Sequence, residues 1–137
     1  MTQDIKTITI LFRASHRIEE VVKLEVQTFG LNISEFMVLE VLFHKGPLPV
    51  NAVLDKILIP NSSMSYVIDL LVSKGLISKQ KDAVDKRVYL LKLTPEGLRF
   101  IQKVYPEHKK KLKEILNHLS NEEEQTLQTL LKRIGKE

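Results

Sequence analysis

Pro60-Asn61-Ser62-Ser63-Met64-Ser65-Tyr66-Val67-Ile68-Asp69-Leu70-Leu71-Val72-Ser73-Lys74-Gly75 runs directly into Leu76-Ile77-Ser78-Lys79-Gln80-Lys81, Asp82-Ala83-Val84-Asp85-Lys86-Arg87 and Val88-Tyr89-Leu90-Leu91-Lys92-Leu93. The first stretch predicts a helix from about Ser62 to Ser73, capped by Asn61 or Ser62 and stopped at Gly75. Met64, Val67, Ile68, Leu71 and Val72 recur at steps of three and four and form its buried side. Two short apolar-rich strands follow, joined by a loop from Asp82 to Lys86 with a basic tip. A helix followed by a β-wing has a shape that enters a major groove and the minor groove beside it. Double-stranded DNA is therefore the partner to expect.

Working outward, the chain is helical on both sides. Ile5, Ile8, Leu11, Phe12, Ile18, Val21 and Val22 make one stripe on a long first helix, about Ile5 to Thr28. A second helix is expected from Glu35 to about His44 with Ser34 as its N-cap. Phe36, Val38, Leu39, Val41, Leu42 and Phe43 make it apolar nearly all round, which places it centrally. Lys45-Gly46-Pro47 ends it. A short third helix spans Pro49 to about Leu58, and Ile59-Pro60-Asn61 is a turn. After the wing, Thr94-Pro95-Glu96-Gly97 is a start signal, with Thr as cap and Pro in the first turn. The fifth helix carries Leu98, Ile101, Val104, Tyr105, Leu112, Ile115, Leu116 and Leu119, with a kink or break expected near Val104 and Tyr105 because of Pro106. Ser120-Asn121-Glu122-Glu123 matches a capping box and opens a last helix with Leu127, Leu130, Leu131 and Ile134 on one side.

The 137 residues amount to one domain, with 43% hydrophobic and 28% charged residues, as in an ordinary globule. The formal net charge is +4. From Lys74 to Lys92 there are six cations and two anions, so this stretch alone carries an excess equal to that of the whole chain. The absence of cysteine excludes disulfides, thiolate metal sites and a thiol redox switch. No apolar run approaches the roughly 20 residues of a membrane span. The first residues, Met-Thr-Gln-Asp-Ile-Lys, do not read as a signal peptide. A cytoplasmic protein with no membrane role is the expectation.

The predicted fold is mainly α with a small β-wing: a winged helix-turn-helix over residues 1–137, with 31–93 as its DNA-binding part. Residues 1–30 and 98–137 form a helical dimerisation part, since amphipathic helices from both termini bury each other most simply across a two-fold axis. The chain resembles the MarR family of bacterial transcription regulators. Four signatures carry the resemblance: Leu31-Asn32-Ile33-Ser34-Glu35-Phe36 with Val38-Leu39, Leu71 to Leu76 with its Lys74-Gly75 stop, Asp85-Lys86-Arg87 in the wing, and Leu93-Thr94-Pro95-Glu96-Gly97 after it. Within the family the chain looks most like members that respond to quinones and related phenolics. The resemblance implies a homodimer that binds a pseudo-palindromic operator, as a repressor, and is released by a small aromatic effector or an oxidant. Cysteine-based sensing, used by some members, cannot operate here.

Arg87 is the sharpest candidate for DNA contact, because a narrow minor groove attracts arginine. Asp85 sits two residues earlier, where it can hold the guanidinium in a bidentate pair, and the resemblance gives the two residues these roles. The plain alternative is a surface ion pair of little worth. Ser62, Ser63, Ser65 and Tyr66 are expected to face the major groove and its phosphates. From Asn61 to Ser73 there is no Lys or Arg, although members of the family often carry a basic residue where Tyr66 sits. Positive charge must then come from Lys56, Lys74, Lys79, Lys81, Lys86 and Arg87. The run Lys109-Lys110-Lys111 with Lys113 reads as a solvated helix face. Phe12, His16, Phe36, His44 and Tyr105 are candidates to line an effector pocket between the first, second and fifth helices, where the family commonly binds ligands. Aromatic and histidine walls suit a flat phenolic compound, and ordinary packing is the alternative for each.

No His-Glu-x-x-His, glycine-rich phosphate loop or Gly-x-Ser-x-Gly occurs, so no catalytic residue, metal or cofactor is expected. The reading is a dimeric, sequence-specific DNA-binding regulator, with a winged-helix protein-interaction module lacking a DNA role as its alternative.

Overall fold

Phe36, Val38, Leu39 and Leu42, all on one short helix, are at most 2% exposed, and the fold is arranged around them. The structure, a computed structural model, describes residues 2–57 and 63–137. Its elements are α1 (Gln3–Gln27), α2 (Ile33–Lys45), β1 (Leu48–Pro49), α3 (Val50–Lys56), α4 (Met64–Ser73), β2 (Ile77–Lys81), β3 (Tyr89–Leu93), α5 (Pro95–Ile115) and α6 (Asn121–Gly135). The chain divides into two compact units, Met1–Pro106 and Glu107–Glu137.

In the first unit α2 meets α1, α3, α4 and β3, the central position its all-round hydropathy predicts. Its cap is Asn32, not Ser34. The Asn32 side chain accepts from the Glu35 N–H at 2.8 Å, and the Glu35 carboxylate accepts from the Asn32 N–H at 2.9 Å, a reciprocal capping box. Asn-Ile-Ser-Glu contains two possible caps, and the one with Glu three residues on prevails because it satisfies two helix-end donors rather than one. Core positions on the other elements are Val26 of α1, Val53 of α3, Leu71 of α4, Ile77 of β2, Leu91 of β3 and Ile101 of α5, all at most 2% exposed. At roughly 1.5–3 kcal/mol for each buried aliphatic or aromatic side chain, they supply the main drive to fold.

The wing is a three-stranded antiparallel sheet in the order β1-β3-β2. Lys79 lies opposite Leu91 and Lys81 opposite Tyr89. The short β1 pairs Leu48 with Leu91 and Pro49 with Leu90, a strand not expected from the sequence, where Pro49 reads as the start of the third helix. A proline at an edge strand is tolerated because the outer side needs no donor.

Three expectations shift. The third helix starts at Val50 with Pro49 as its cap residue. Val72 is 38% exposed, so the buried side of α4 is Met64, Val67, Ile68 and Leu71. α5 runs unbroken through Pro106: proline removes one rung of the ladder, and the turns on either side continue. The expected turn Ile59-Pro60-Asn61 and the caps Asn61 and Ser62 lie outside the described residues.

α4 ends in a Schellman motif. The Leu76 N–H donates to the Leu71 carbonyl (3.1 Å) and the Gly75 N–H to the Val72 carbonyl (3.0 Å), with Gly75 at φ 75°. The start of α5 is locked onto this turn. The Thr94 hydroxyl donates to the Gly75 carbonyl (2.6 Å) and accepts from the Gly97 N–H (2.9 Å), while the Thr94 N–H donates to the Leu76 carbonyl (3.1 Å). A β-carbon on Gly97 would collide with the Leu76 backbone. This close approach is the physical content of the Thr-Pro-Glu-Gly signature.

The second unit holds the end of α5 and α6. Ser120 caps α6 in a second reciprocal box with Glu123 (3.1 and 2.8 Å), as read from the sequence. α6 buries nothing: Leu127, Leu130, Leu131 and Ile134 stay 38–57% exposed. No described helix is long and apolar enough to cross a membrane.

Candidate nucleic-acid interface

The wing tip is built around one carboxylate. Asp85 Oδ1 accepts from the Arg87 backbone N–H (3.0 Å) and from Nε (3.1 Å), and Oδ2 accepts from Nη2 (3.2 Å). The guanidinium is thus held in a bidentate fork although its side chain is 91% exposed. The Arg87 side chain, then its backbone N–H, hold the Asp85 carboxyl below its ordinary pKa, with slight desolvation opposing them. The Asp85 N–H in turn donates to Asp82 Oδ2 (3.1 Å), the Asp82 N–H donates to the Val88 carbonyl (2.9 Å) and the Val88 N–H to the Asp85 carbonyl (3.0 Å). An exposed arginine usually surrenders side-chain entropy when it binds. Here the fork has already spent part of it, and the planar face remains open.

The flank of the wing adds charge. Lys79 Nζ lies 4.9 Å from the centre of the Tyr89 ring, a cation–π contact that holds the ammonium over the sheet. Lys79, Tyr89 and Arg87 share a hollow of about 220 Å³ with Pro49, Val50, Asn51 and Val88. Lys81, Lys86 and Lys92 are exposed. The sequence reading missed Tyr89 and Asn51. Only the β2–β3 register puts Tyr89 on the face of Lys79, and only the unforeseen strand β1 brings Asn51 beside the wing.

On α4, Ser63, Ser65 and Tyr66 are exposed, Tyr66 at 67%, on the side opposite the core. Ser63 stands at the N-cap position without a side-chain capping bond. Ser62 lies outside the described residues. Two of the predicted lysines have other neighbours in this structure. Lys74 is the partner of a carboxylate only 3% exposed: its ammonium lies 2.6 Å from Glu35 Oε2. It therefore pins the end of α4 to the start of α2 and is not a free charge for DNA. Lys56 lines a separate open cleft of about 330 Å³ between α2 and α3, with Met37, Glu40, Val41, His44, Lys45, Asp55 and Ile57.

The five candidate effector residues are not gathered in one place. Phe12 is 72% exposed and His16 is exposed on α1. Phe36 is 1% exposed and lies 6.1 Å from Phe29, as core and not as ligand surface. His44 and Tyr105 do meet, edge to face at 5.1 Å. Phe43, which the sequence reading assigned only to the core, completes a triangle with them at 5.4 and 5.3 Å. Burial, then the nearby Glu40 charge, raise the Tyr105 phenol above its ordinary pKa. His108, given no role by the sequence, is buried.

Comparison with known proteins decides the family. Residues 31–89 match the model of the MarR family. The chain is 34% identical over 133 residues to the HTH-type transcriptional regulator MhqR of Bacillus subtilis, covering 97% of this chain and 92% of that one. The chain belongs to the MarR family. As a MarR-family protein it is a DNA-binding transcription regulator of the winged-helix type. Solved structures share the fold. A MarR variant of Escherichia coli in complex with operator DNA superposes with a TM-score of 0.84 at 20% identity, over 96% of this chain and 95% of that one. BpsR of Bordetella bronchiseptica, described for regulation of its DNA binding by 6-hydroxynicotinic acid, gives 0.82 at 22% identity, over 94% and 92%.

Proposed function

We propose that the protein is a homodimeric repressor that reads a pseudo-palindromic operator with α4 and the wing of each subunit and leaves it when a small aromatic effector binds. The observation that carries the DNA part is the Asp85–Arg87 fork, an arginine aimed and held at a wing tip before any partner arrives. Arg87, Lys79 and Lys86 supply the minor-groove and phosphate contacts. Ser63, Ser65 and Tyr66 face the major groove, where hydroxyls bond phosphates or base edges. With no Lys or Arg on α4, affinity rests on the wing more than is usual for this architecture.

The dimer rests on two unburied apolar stripes. Ile5, Ile8 and Phe12 of α1 are 47–72% exposed, and so, at 38–57%, are the four apolar positions of α6. Terminal helices this apolar suit a second copy of the chain. The effector reading rests on the α2–α3 cleft, whose about 330 Å³ is enough for a small planar molecule, and on the Phe43–His44–Tyr105 triangle. His44 belongs to both the cleft and the triangle, and so connects them. An effector of this kind lowers DNA affinity only by preferring a dimer geometry that misfits the operator.

The test is a mobility shift with the protein's own upstream DNA at two salt concentrations, with unrelated DNA as competitor. A specific, salt-sensitive complex is expected, and phenolic compounds are then screened for its release. Weak binding, equal on both DNAs, overturns the regulator reading and favours a protein-interaction module.

A further inference from the structure

Val84 is 93% exposed, more than any other large apolar side chain among the described residues, and it sits at the tip of the wing. Hairpin tips are normally made of Gly, Asn, Asp or Ser; this one presents Ala83 and Val84 between two aspartates. The aspartates are engaged by the loop's own donors: Asp82 Oδ2 accepts the Asp85 N–H, and Asp85 accepts twice from the Arg87 side chain. The tip is therefore closed by its own hydrogen bonds, and between the two aspartates it offers outward the methyl groups of Ala83 and Val84, next to the exposed Lys86 and Arg87. Valine has a single, stiff side-chain torsion, so the pair of methyls is held as firmly as the backbone beneath it.

We propose that Val84 enters the minor groove beside Arg87 and makes the protein discriminate against guanine at that point through the 2-amino group. The inference rests on the DNA reading above. The minor groove is about 6 Å wide and presents only acceptors at A·T and T·A, whereas G·C adds one donor, the guanine amino group. Arg87 donates to acceptors. Val84 has no acceptor to offer, so an amino group beneath it loses its water and gains no partner, which is costly. At A·T and T·A nothing is left unpaired, and the isopropyl group rests on deoxyribose carbons. Arginine attracts the narrow groove, and valine penalises the pair that would fill its floor.

The experiment uses the full-length protein and its own upstream DNA. A hydroxyl-radical footprint locates the minor-groove positions under the wing. Adenines there are replaced by 2,6-diaminopurine, which adds the 2-amino group and leaves the major-groove edge of adenine unchanged. Affinities are read by fluorescence anisotropy for the wild type, Val84→Ala and Val84→Asn. The wild type is expected to lose roughly 10-fold on the modified DNA, within the range for one wrong base pair. Val84→Ala should lose only about 2-fold, and Val84→Asn, with an acceptor, should lose nothing. All three should share one salt dependence, because no charge is removed. Equal losses for wild type and Val84→Ala, or no loss for the wild type, overturn the proposal while the regulator reading survives. Absence of specific binding to the unmodified DNA overturns both.

Discussion

A single carboxylate organises the wing tip, and its protonation state fixes when the wing is usable. The folded pKa of Asp85 is lowered by Arg87. The fork is therefore fully present above the ordinary carboxylate value of about 4 and is lost only as the pH falls through the lowered value. The affinity ratio between wild type and Arg87→Ala should then be the same at pH 5.5 and 7.5; a ratio that shrinks at pH 5.5 would contradict the fork. Arg87→Ala itself should weaken specific binding by about 5- to 100-fold and reduce the salt slope by about one, at unchanged thermal stability. Next to it, Tyr89→Leu removes the ring under Lys79, whereas Tyr89→Phe keeps it. Anisotropy titrations should show a loss for the first and near wild-type affinity for the second; equal losses would mean that the hydroxyl, not the ring, matters. The pairing of Asp85 with Arg87 was legible from two residues of spacing. The Lys79–Tyr89 contact was not, because it depends on strand register.

At the scale of elements, caps and stops carried the reading, and competition between them limited it. The Gly75 stop, the Thr94 cap and the Ser120 box each have one local solution, and each is found where its residue types stand. The start of α2 holds both Asn32 and Ser34, and the reciprocal box of Asn32 with Glu35 three residues on decides between them. β1 was invisible, since two residues that include a proline have no pattern of their own. Pro106 misled for the opposite reason, a strong local rule overridden by the helix on both sides. The close contact at Gly97 yields a prediction. Gly97→Ala should drive a methyl into the Leu76 carbonyl and cost about 2 kcal/mol or more, seen as a fall in Tm of roughly 6 °C. Unchanged stability would mean that α5 does not start as closely on the wing as described. Glu35→Gln keeps the capping acceptor and removes the charge facing Lys74. With Lys74 about one-third exposed, the loss should be about 1–2 kcal/mol, less than the 3–5 of a fully buried pair.

For the whole molecule, the order of elements led to a winged helix-turn-helix with helical extensions, and the family rested on the resemblance carried by the four signatures around α2, the α4 stop, the wing and the start of α5, which the family match bears out. The proposed effector residues fared differently. Phe12, His16 and Phe36 share a residue type with a ligand wall, but type alone does not separate core from surface, and the three stand in different surroundings. If the exposed stripes of α1 and α6 cover each other across a two-fold axis, Phe12→Glu should shift sedimentation from dimer to monomer and abolish operator binding, with the wing intact. A monomer that still binds specifically would remove the dimer from the proposal.

The ion pair between Glu35 and Lys74 has a mechanical meaning as well. It fastens the first turn of α2 to the last turn of α4, and Thr94 and Gly97 fasten that same corner to α5. The reading head is cross-braced at the joint where it would have to bend. In the proposed dimer, an effector would therefore turn each head as a solid lever, altering the spacing and tilt between two heads and leaving the shape of each alone. Hydrogen exchange should accordingly report the same protection at the α2–α4 corner with and without effector.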